Sequence, residues 1–221
     1  MALATRLASR RRQWAVILSP IGVIALGNGV QRVAGLAMGA WAWIPTMLVF
    51  WATIAGIISW DGRDKPARGW LGPARGARGW SFLAVAVGLL SVREFVSGWH
   101  VLESPTLLAL WLVFGLVNPW FEECYWRGLI VDAAGDSWKE LAVAYSTVAF
   151  ALSHPLIWGV HSAALRHPAA LVGLGLVGGV WGLAYWRTHS LQWTIAGHAC
   201  ANLFGLSVPV LLNLHTPSGL S

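Results

Sequence analysis

The sequence predicts an all-α fold, a polytopic membrane helical bundle of about seven (six to eight) transmembrane helices. Three observations predict it. Of 221 residues, 57% are hydrophobic and only 11% charged, with a mean hydropathy of +0.61. A soluble domain carries about 25% charged residues. Apolar runs of about 20 residues, long enough to cross a bilayer, follow one another along the chain. Sixteen tryptophans are present, and Trp14, Trp41, Trp43, Trp60, Trp80, Trp99, Trp120, Trp138 and Trp186 fall near run ends, where indoles anchor at the headgroup level.

Taken in order, spans are expected over 14–31, 41–60, 80–99, 105–133, 139–158, 169–187 and 190–213, and 1–221 reads as a single integral membrane domain. Arg10, Arg11 and Arg12 ahead of an apolar run resemble a secretory or twin-arginine signal. However, Pro20 interrupts the run and no small-residue cleavage site follows, so this is read as an uncleaved first span. The basic 61–79 loop, DGRDKPARGWLGPARGARG, is expected to be solvated and mobile, with no buried face. In the fourth span, Asn118-Pro119 is expected to kink the helix, because proline removes a backbone donor and frees a carbonyl; a fresh stretch then starts at Trp120. In the sixth, Gly175-x-x-x-Gly179 and Gly178-x-x-x-Gly182 allow close helix approach.

The net charge of +6 does not indicate nucleic acid, because nine of the fifteen basic residues fall in 6–12 and 63–78, both flanking apolar runs. That is the positive-inside pattern. It puts the N-terminus and the 61–79 loop in the cytoplasm, with membrane lipid as a partner and a bacterial inner (plasma) membrane as the expected location. Cys124 and Cys200 lack CxxC spacing and read as small buried residues.

Against this apolar background stand Glu122, Glu123 and Arg127, then Phe150 and His154, then His198 and Asn202. A charge at mid-bilayer costs roughly 2.5–3.5 kcal/mol on insertion scales, so the cluster calls for a reason. Glu123 and Arg127 stand at i and i+4 with the acid first, the favourable order for an ion pair. Glu122 is rotated about 100° away and need not share that cation. Phe150 and His154 share a helix face, as do His198 and Asn202. With a turn near Asp136, Glu122 lies roughly 21 Å and His154 roughly 27 Å from it, at similar depth.

One carboxylate, two imidazoles and an amide support two chemistries. In one, Glu122 takes a proton from a water that His154 orients, while His198 and Asn202 donate to the oxyanion of an attacked peptide carbonyl. In the other, Glu122, His154 and His198 bind a zinc ion that acidifies the water. No metal is required by the first and zinc is possible by the second. Two further classes remain: a catalytically silent scaffold or bacteriocin-immunity protein of the same fold, and a proton-coupled transporter with Glu122 in a relay. The transporter reading lacks the paired repeats with matching broken helices usual for that class.

The motifs EECYWR at 122–127, FALSH at 150–154 and HACAN at 198–202 resemble those of the CAAX-protease and bacteriocin-processing (CPBP) family, which includes the Ras-converting CAAX endopeptidase. The stretch GLGLVGGVWGLAYWRTHSLQWTIAGHACAN is also similar, and the resemblance covers about 105–205, the core carrying the protease motifs. It implies an intramembrane endopeptidase acting on a membrane-associated or C-terminal, prenylated-type peptide. Glu122 would be the catalytic glutamate and Glu123 and Arg127 its support. His154 would assist water activation, and His198 and Asn202 would stabilise the intermediate. Members are described both as glutamate proteases and as metalloproteases. The resemblance also implies a cavity open to the cytoplasm, whereas the helix count sets Glu122 far from the cytoplasmic 136 turn.

Overall fold

The computed structural model describes residues 2–61, 67–76 and 78–220, and every regular element among them is helical. The chain begins with α1 (Ala2–Met38) and α2 (Trp43–Asp61), an antiparallel pair joined by a 3-10 turn. The single turn α3 (Ala67–Trp70) leads to α4 (Arg78–Leu89) and α5 (Val92–Gly98). Next come α6 (Pro105–Glu123), a π-helical turn (Cys124–Leu129) and α7 (Ile130–Ala133). The chain continues as α8 (Lys139–Ile157), α9 (Pro168–Thr188), α10 (Gln192–Phe204) and α11 (Ser207–Leu211).

Among the described residues five stretches are long and apolar enough to cross a membrane: Arg10–Asp61, Arg78–Leu102, Pro105–Ala133, Lys139–Val160 and Pro168–Thr188. The first holds both α1 and α2, so it supplies two of the seven expected crossings. The expected seventh, 190–213, is broken. Its α10 has 13 residues and ends at Gly205, and Leu206 then adopts a left-handed conformation (φ 51°) from which α11 starts in a new direction.

The expected proline break does not occur where the sequence put it. α6 runs through Pro119 as one helix, and the irregularity falls just after it, in the π-helical turn. Such turns insert one residue into the helical register and are frequent at functional sites. Pro20 is likewise held inside α1: the Ser19 hydroxyl donates to the Val16 carbonyl at 2.7 Å, the acceptor that Pro20 leaves without its usual donor.

One end of the bundle gathers the basic connections. The Arg12 guanidinium donates to the Trp60 and Asp61 carbonyls at 2.7 Å and pairs with the Asp61 carboxylate at 2.6 Å, capping the C-terminus of α2. Nearby, Gln13 donates to the Ala133 carbonyl, and Asp132 accepts from Lys139 at 3.2 Å and from the Trp70 indole at 3.1 Å. Within the 61–79 loop, 62–66 and 77 lie outside the described residues. The remainder departs from the expectation of a loop with no buried face. Trp70 is buried over Gly128, its carbonyl accepts from the Leu191 amide, and Arg75 N–H donates to the Thr188 carbonyl. A single large indole is enough to anchor a stretch that is otherwise Pro, Gly and Arg.

Glycine contacts also fall differently from the sequence expectation. Gly178 and Gly182 do meet α8, at Phe150 and Val143, but a Cβ on Gly175 would meet nothing within 4 Å. The closest crossing is instead between α4 and α10, where a Cβ on Gly88 would sit 1.9 Å from the Gly197 carbonyl oxygen and one on Gly197 2.0 Å from that of Ala84. This backbone-to-backbone contact brings His198 against the core. Most of the tryptophans named at run ends are exposed, but Trp43 is buried edge-on against Phe114 at 5.8 Å.

Candidate active site

The π-helical turn follows directly on Glu122 and Glu123, and both carboxylates are buried. Glu123 Oε1 accepts from Arg127 Nη1 at 3.0 Å and from His198 Nδ1 at 2.9 Å. Arg127 is fixed further by donating from Nη2 to the Gly178 carbonyl at 3.3 Å and by lying 4.2 Å over the Phe150 ring. The guanidinium fits there because Gly178 has no side chain: a Cβ would stand 3.1 Å from Nη2 and 2.9 Å from Phe150. Glu123 is thus committed to one cation and one imidazole.

Glu122 is not. Its Oε2 is buried without a hydrogen-bond partner among the described residues, and its nearest basic neighbour is His198 Nε2 at 3.8 Å. A buried carboxylate oxygen left in that state carries a desolvation penalty, which a bound water or substrate group would relieve.

The two imidazoles are oriented by different means. His154 Nδ1 lies 2.9 Å from the Phe150 carbonyl one turn earlier. A carbonyl only accepts, so Nδ1 carries the proton and Nε2 of neutral His154 is the acceptor nitrogen. His198 Nδ1 faces a carboxylate and is protonated by the same argument, which leaves Nε2 on the Glu122 side. Trp181 stacks on the His198 ring at 4.6 Å and 18°, with its own indole N–H tied to the Ala84 carbonyl at 2.9 Å. Phe150 stands edge-on to both rings, at 4.7 Å from His154 and 6.0 Å from His198.

Asn202 completes the set. Its Oδ1 accepts from the Ser207 hydroxyl at 3.2 Å, and its Nδ2 is buried without a partner among the described residues. Glu122, Phe150, His154, His198 and Asn202 all line one cavity of about 250 Å³, together with Asn118, Trp181 and Ser207. Of the sequence-nominated residues, Glu123 and Arg127 stand behind this wall and hold it.

Among the cavity residues that the sequence did not nominate are Asn118, Trp181 and Ser207. Asn118 had been read only as half of a proline kink; its Oδ1 accepts from the Trp51 indole at 2.8 Å and it faces the cavity. Trp181 sits in the Gly-rich stretch, where nothing distinguishes it from the other tryptophans. Ser207 reaches Asn202 only through the left-handed Leu206, which no local motif announces. In the structure Glu94 accepts from the Ser218 amide at 2.9 Å, from its hydroxyl, and from His215 at 3.4 Å. These contacts hold the segment whose Pro217 forms part of the cavity wall.

For zinc, the donor types at Glu122, His154 and His198 are suitable. As arranged, however, no three His, Cys, Asp or Glu side chains among the described residues stand close enough to hold one metal ion. The Nδ1 atoms of both histidines are engaged elsewhere, so only Nε2 of each would remain as a ligand.

Residues 104–204 match a family model described as type II CAAX prenyl endopeptidase Rce1-like. No curated protein and no solved structure matches the chain. The matched stretch contains EECYWR, FALSH and HACAN, and every catalytic-site candidate named from them lies within it. Together with the five apolar helical stretches, it makes this an integral membrane protein. Over residues 104–204, a little under half of its length, the chain is similar to the Rce1-like family of CAAX-type endopeptidases.

Proposed function

We propose that this protein is an intramembrane endopeptidase of the glutamate type, cleaving a membrane-associated peptide in the cavity beneath Glu122. Glu122 Oε2 accepts a proton from a water, and the resulting hydroxide attacks the scissile carbonyl carbon, forming the C–O bond of a tetrahedral intermediate. His154 Nε2 accepts a hydrogen bond from the same water and aligns it. The negative charge that develops on the former carbonyl oxygen receives a hydrogen bond from Asn202 Nδ2. His198, held through Nδ1 by Glu123, stands with Nε2 on the Glu122 side and serves as a second donor to the oxyanion in its doubly protonated form. Collapse breaks the C–N bond, and the proton held by Glu122 passes to the leaving amine.

One observation supports this reading above the rest: Glu122 and Asn202 line the same cavity, and a buried acceptor on one, Oε2, and a buried donor on the other, Nδ2, have no partner among the described residues. Attack on a peptide carbonyl requires an acceptor for the water's proton and a donor for the oxyanion. A scaffold gains nothing from leaving both unsatisfied, since each costs about 1–3 kcal/mol. The 250 Å³ cavity is largely apolar, with Phe114, Trp158, Leu174 and Val177 on its walls, which suits an extended hydrophobic peptide segment.

The test is comparative mass spectrometry of membrane peptides from cells carrying the wild type or Glu122→Gln, followed by assay of the purified proteins on any peptide that differs. The variant should lose turnover at least about 100-fold while its melting temperature stays within a few degrees, because Gln nearly preserves shape but accepts no proton. Retained cleavage by Glu122→Gln would overturn the assignment.

A further inference from the structure

Most of the cavity wall comes from the middle of the helices and from the parts furthest from the basic connections. α8 starts at Lys139, beside Asp132 and Trp70, and gives the cavity Phe150, His154 and Trp158 from its other end. α9 ends at Thr188, where Arg75 is bonded, and contributes Gly173, Leu174 and Val177 from its first half and Trp181 from just past its middle. α10 starts at Gln192, whose amide donates to the Leu71 carbonyl at 2.7 Å, and contributes His198, Ala201 and Asn202 further along. On α6, which runs into Ala133 at the basic end, Phe114 lies in the half towards the opposite end, and Asn118 and Glu122 lie near the middle of the 105–133 stretch. The rest of the wall includes Ser91 between α4 and α5, Leu165 in the α8–α9 connection, Ser207, Val210 and Leu211 of α11, and Pro217, all at the end away from Arg12, Asp61 and Asp132.

The distribution of cations assigns those two ends to sides of the membrane. Arg10, Arg11, Arg12, Arg75 and Arg78 stand at one end, with Arg63, Lys65 and Arg68 in the sequence between them and Lys139 and Arg187 nearby. The opposite end has Arg32, Arg93 and Arg166. Orientation follows the excess of Lys and Arg in short connections near span ends, so the first end is cytoplasmic.

We infer that the catalytic cavity opens away from the cytoplasm, and that its substrates are apolar peptide segments presented from the non-cytoplasmic face, such as membrane-anchored tails or leaders of exported chains. This rests on the endopeptidase reading for the word substrate, but not for the side. The family resemblance implied the reverse, an opening toward the cytoplasm. A peptide reaching Glu122 from the cytoplasm would have to pass the core made by Trp126, Tyr125 and Leu129 and the cap formed by Trp70, all buried.

The side is read by cysteine labelling in sealed cells with a membrane-impermeant maleimide. Ser218→Cys marks the cavity end, where Ser218 is exposed next to Pro217, and Gly79→Cys marks the basic end, where a side chain would meet nothing within 4 Å. Background from Cys124 and Cys200 is read on the parent protein. Ser218→Cys should label at least tenfold faster than Gly79→Cys in sealed cells, with the difference vanishing on lysis. Labelling of Gly79→Cys first, or equal labelling of both, overturns the proposal. Ser104→Cys, exposed just before α6 at the cavity end, replaces Ser218→Cys if that variant fails to accumulate. No turnover is needed, so a failure of the endopeptidase reading appears separately, as Glu122→Gln cleaving like the wild type.

Discussion

At the scale of single residues the site is a division of labour between two adjacent glutamates. They share a backbone environment, yet Glu123 is saturated by Arg127 and His198 while Glu122 is left with a bare oxygen on the cavity. Arg127→Ala should therefore act mainly on the fold. It leaves Glu123 buried beside one imidazole and should cost roughly 3–5 kcal/mol, seen as a lowered melting temperature in detergent. Asn202→Ala should act on the reaction, lowering kcat about 100- to 1,000-fold with the melting temperature little changed, as for loss of an oxyanion donor. Ser207→Ala keeps the amide but frees it to rotate, so kcat should fall about tenfold while KM holds, and Ser207→Thr should restore most of it. The i, i+4 spacing of Glu123 and Arg127 was legible in the sequence because it is local. The bond from Ser207 to Asn202 was not, because it depends on the left-handed conformation of Leu206.

At the scale of elements, close helix approach decides which changes are tolerated. A Cβ on Gly197 would meet the Ala84 carbonyl oxygen at 2.0 Å, and neither backbone can yield without separating α4 from α10. Gly197→Ala should destabilise by about 4 kcal/mol or more, and by moving His198 off Glu123 it should remove activity even in the fraction that folds. Gly175→Ala, with open space around it, should leave the melting temperature unchanged or raise it by up to the equivalent of about 1 kcal/mol from helix propensity. Thermal denaturation of the two variants side by side checks both. The sequence pointed to the Gly-rich α9 because its repeats are visible there. Gly88 and Gly197 are single glycines in separate helices, and only tertiary contact pairs them. The same holds for the helix break: Pro119 is a strong local signal, but its neighbours absorb it, and the register change falls at Cys124–Leu129, which carries no proline at all.

At the scale of the whole molecule, the chain is an up-and-down membrane bundle whose polar connections sort to one end and whose cavity sorts to the other. Arg12 on Asp61 ties the first basic run to the start of the second. Trp70 under Gly128 ties the rest of that loop to the turn between α7 and α8. Trp70→Ala empties a buried indole site at the basic end and should destabilise by roughly 3–5 kcal/mol, with the loss read as a lower melting temperature and faster proteolysis near residue 70.

By itself the sequence determined that the protein is helical and embedded in a membrane, and which acid, imidazoles and amide belong together. These follow from composition, from span-length apolar runs and from pairs one turn apart, all of which are local or additive. Only the tertiary structure decided which glutamate keeps a free oxygen, which hydroxyl steers Asn202, where two helices touch backbone to backbone, and which end of the bundle holds the cavity. Each of those depends on groups distant in sequence meeting at close range, and no periodicity encodes such a meeting.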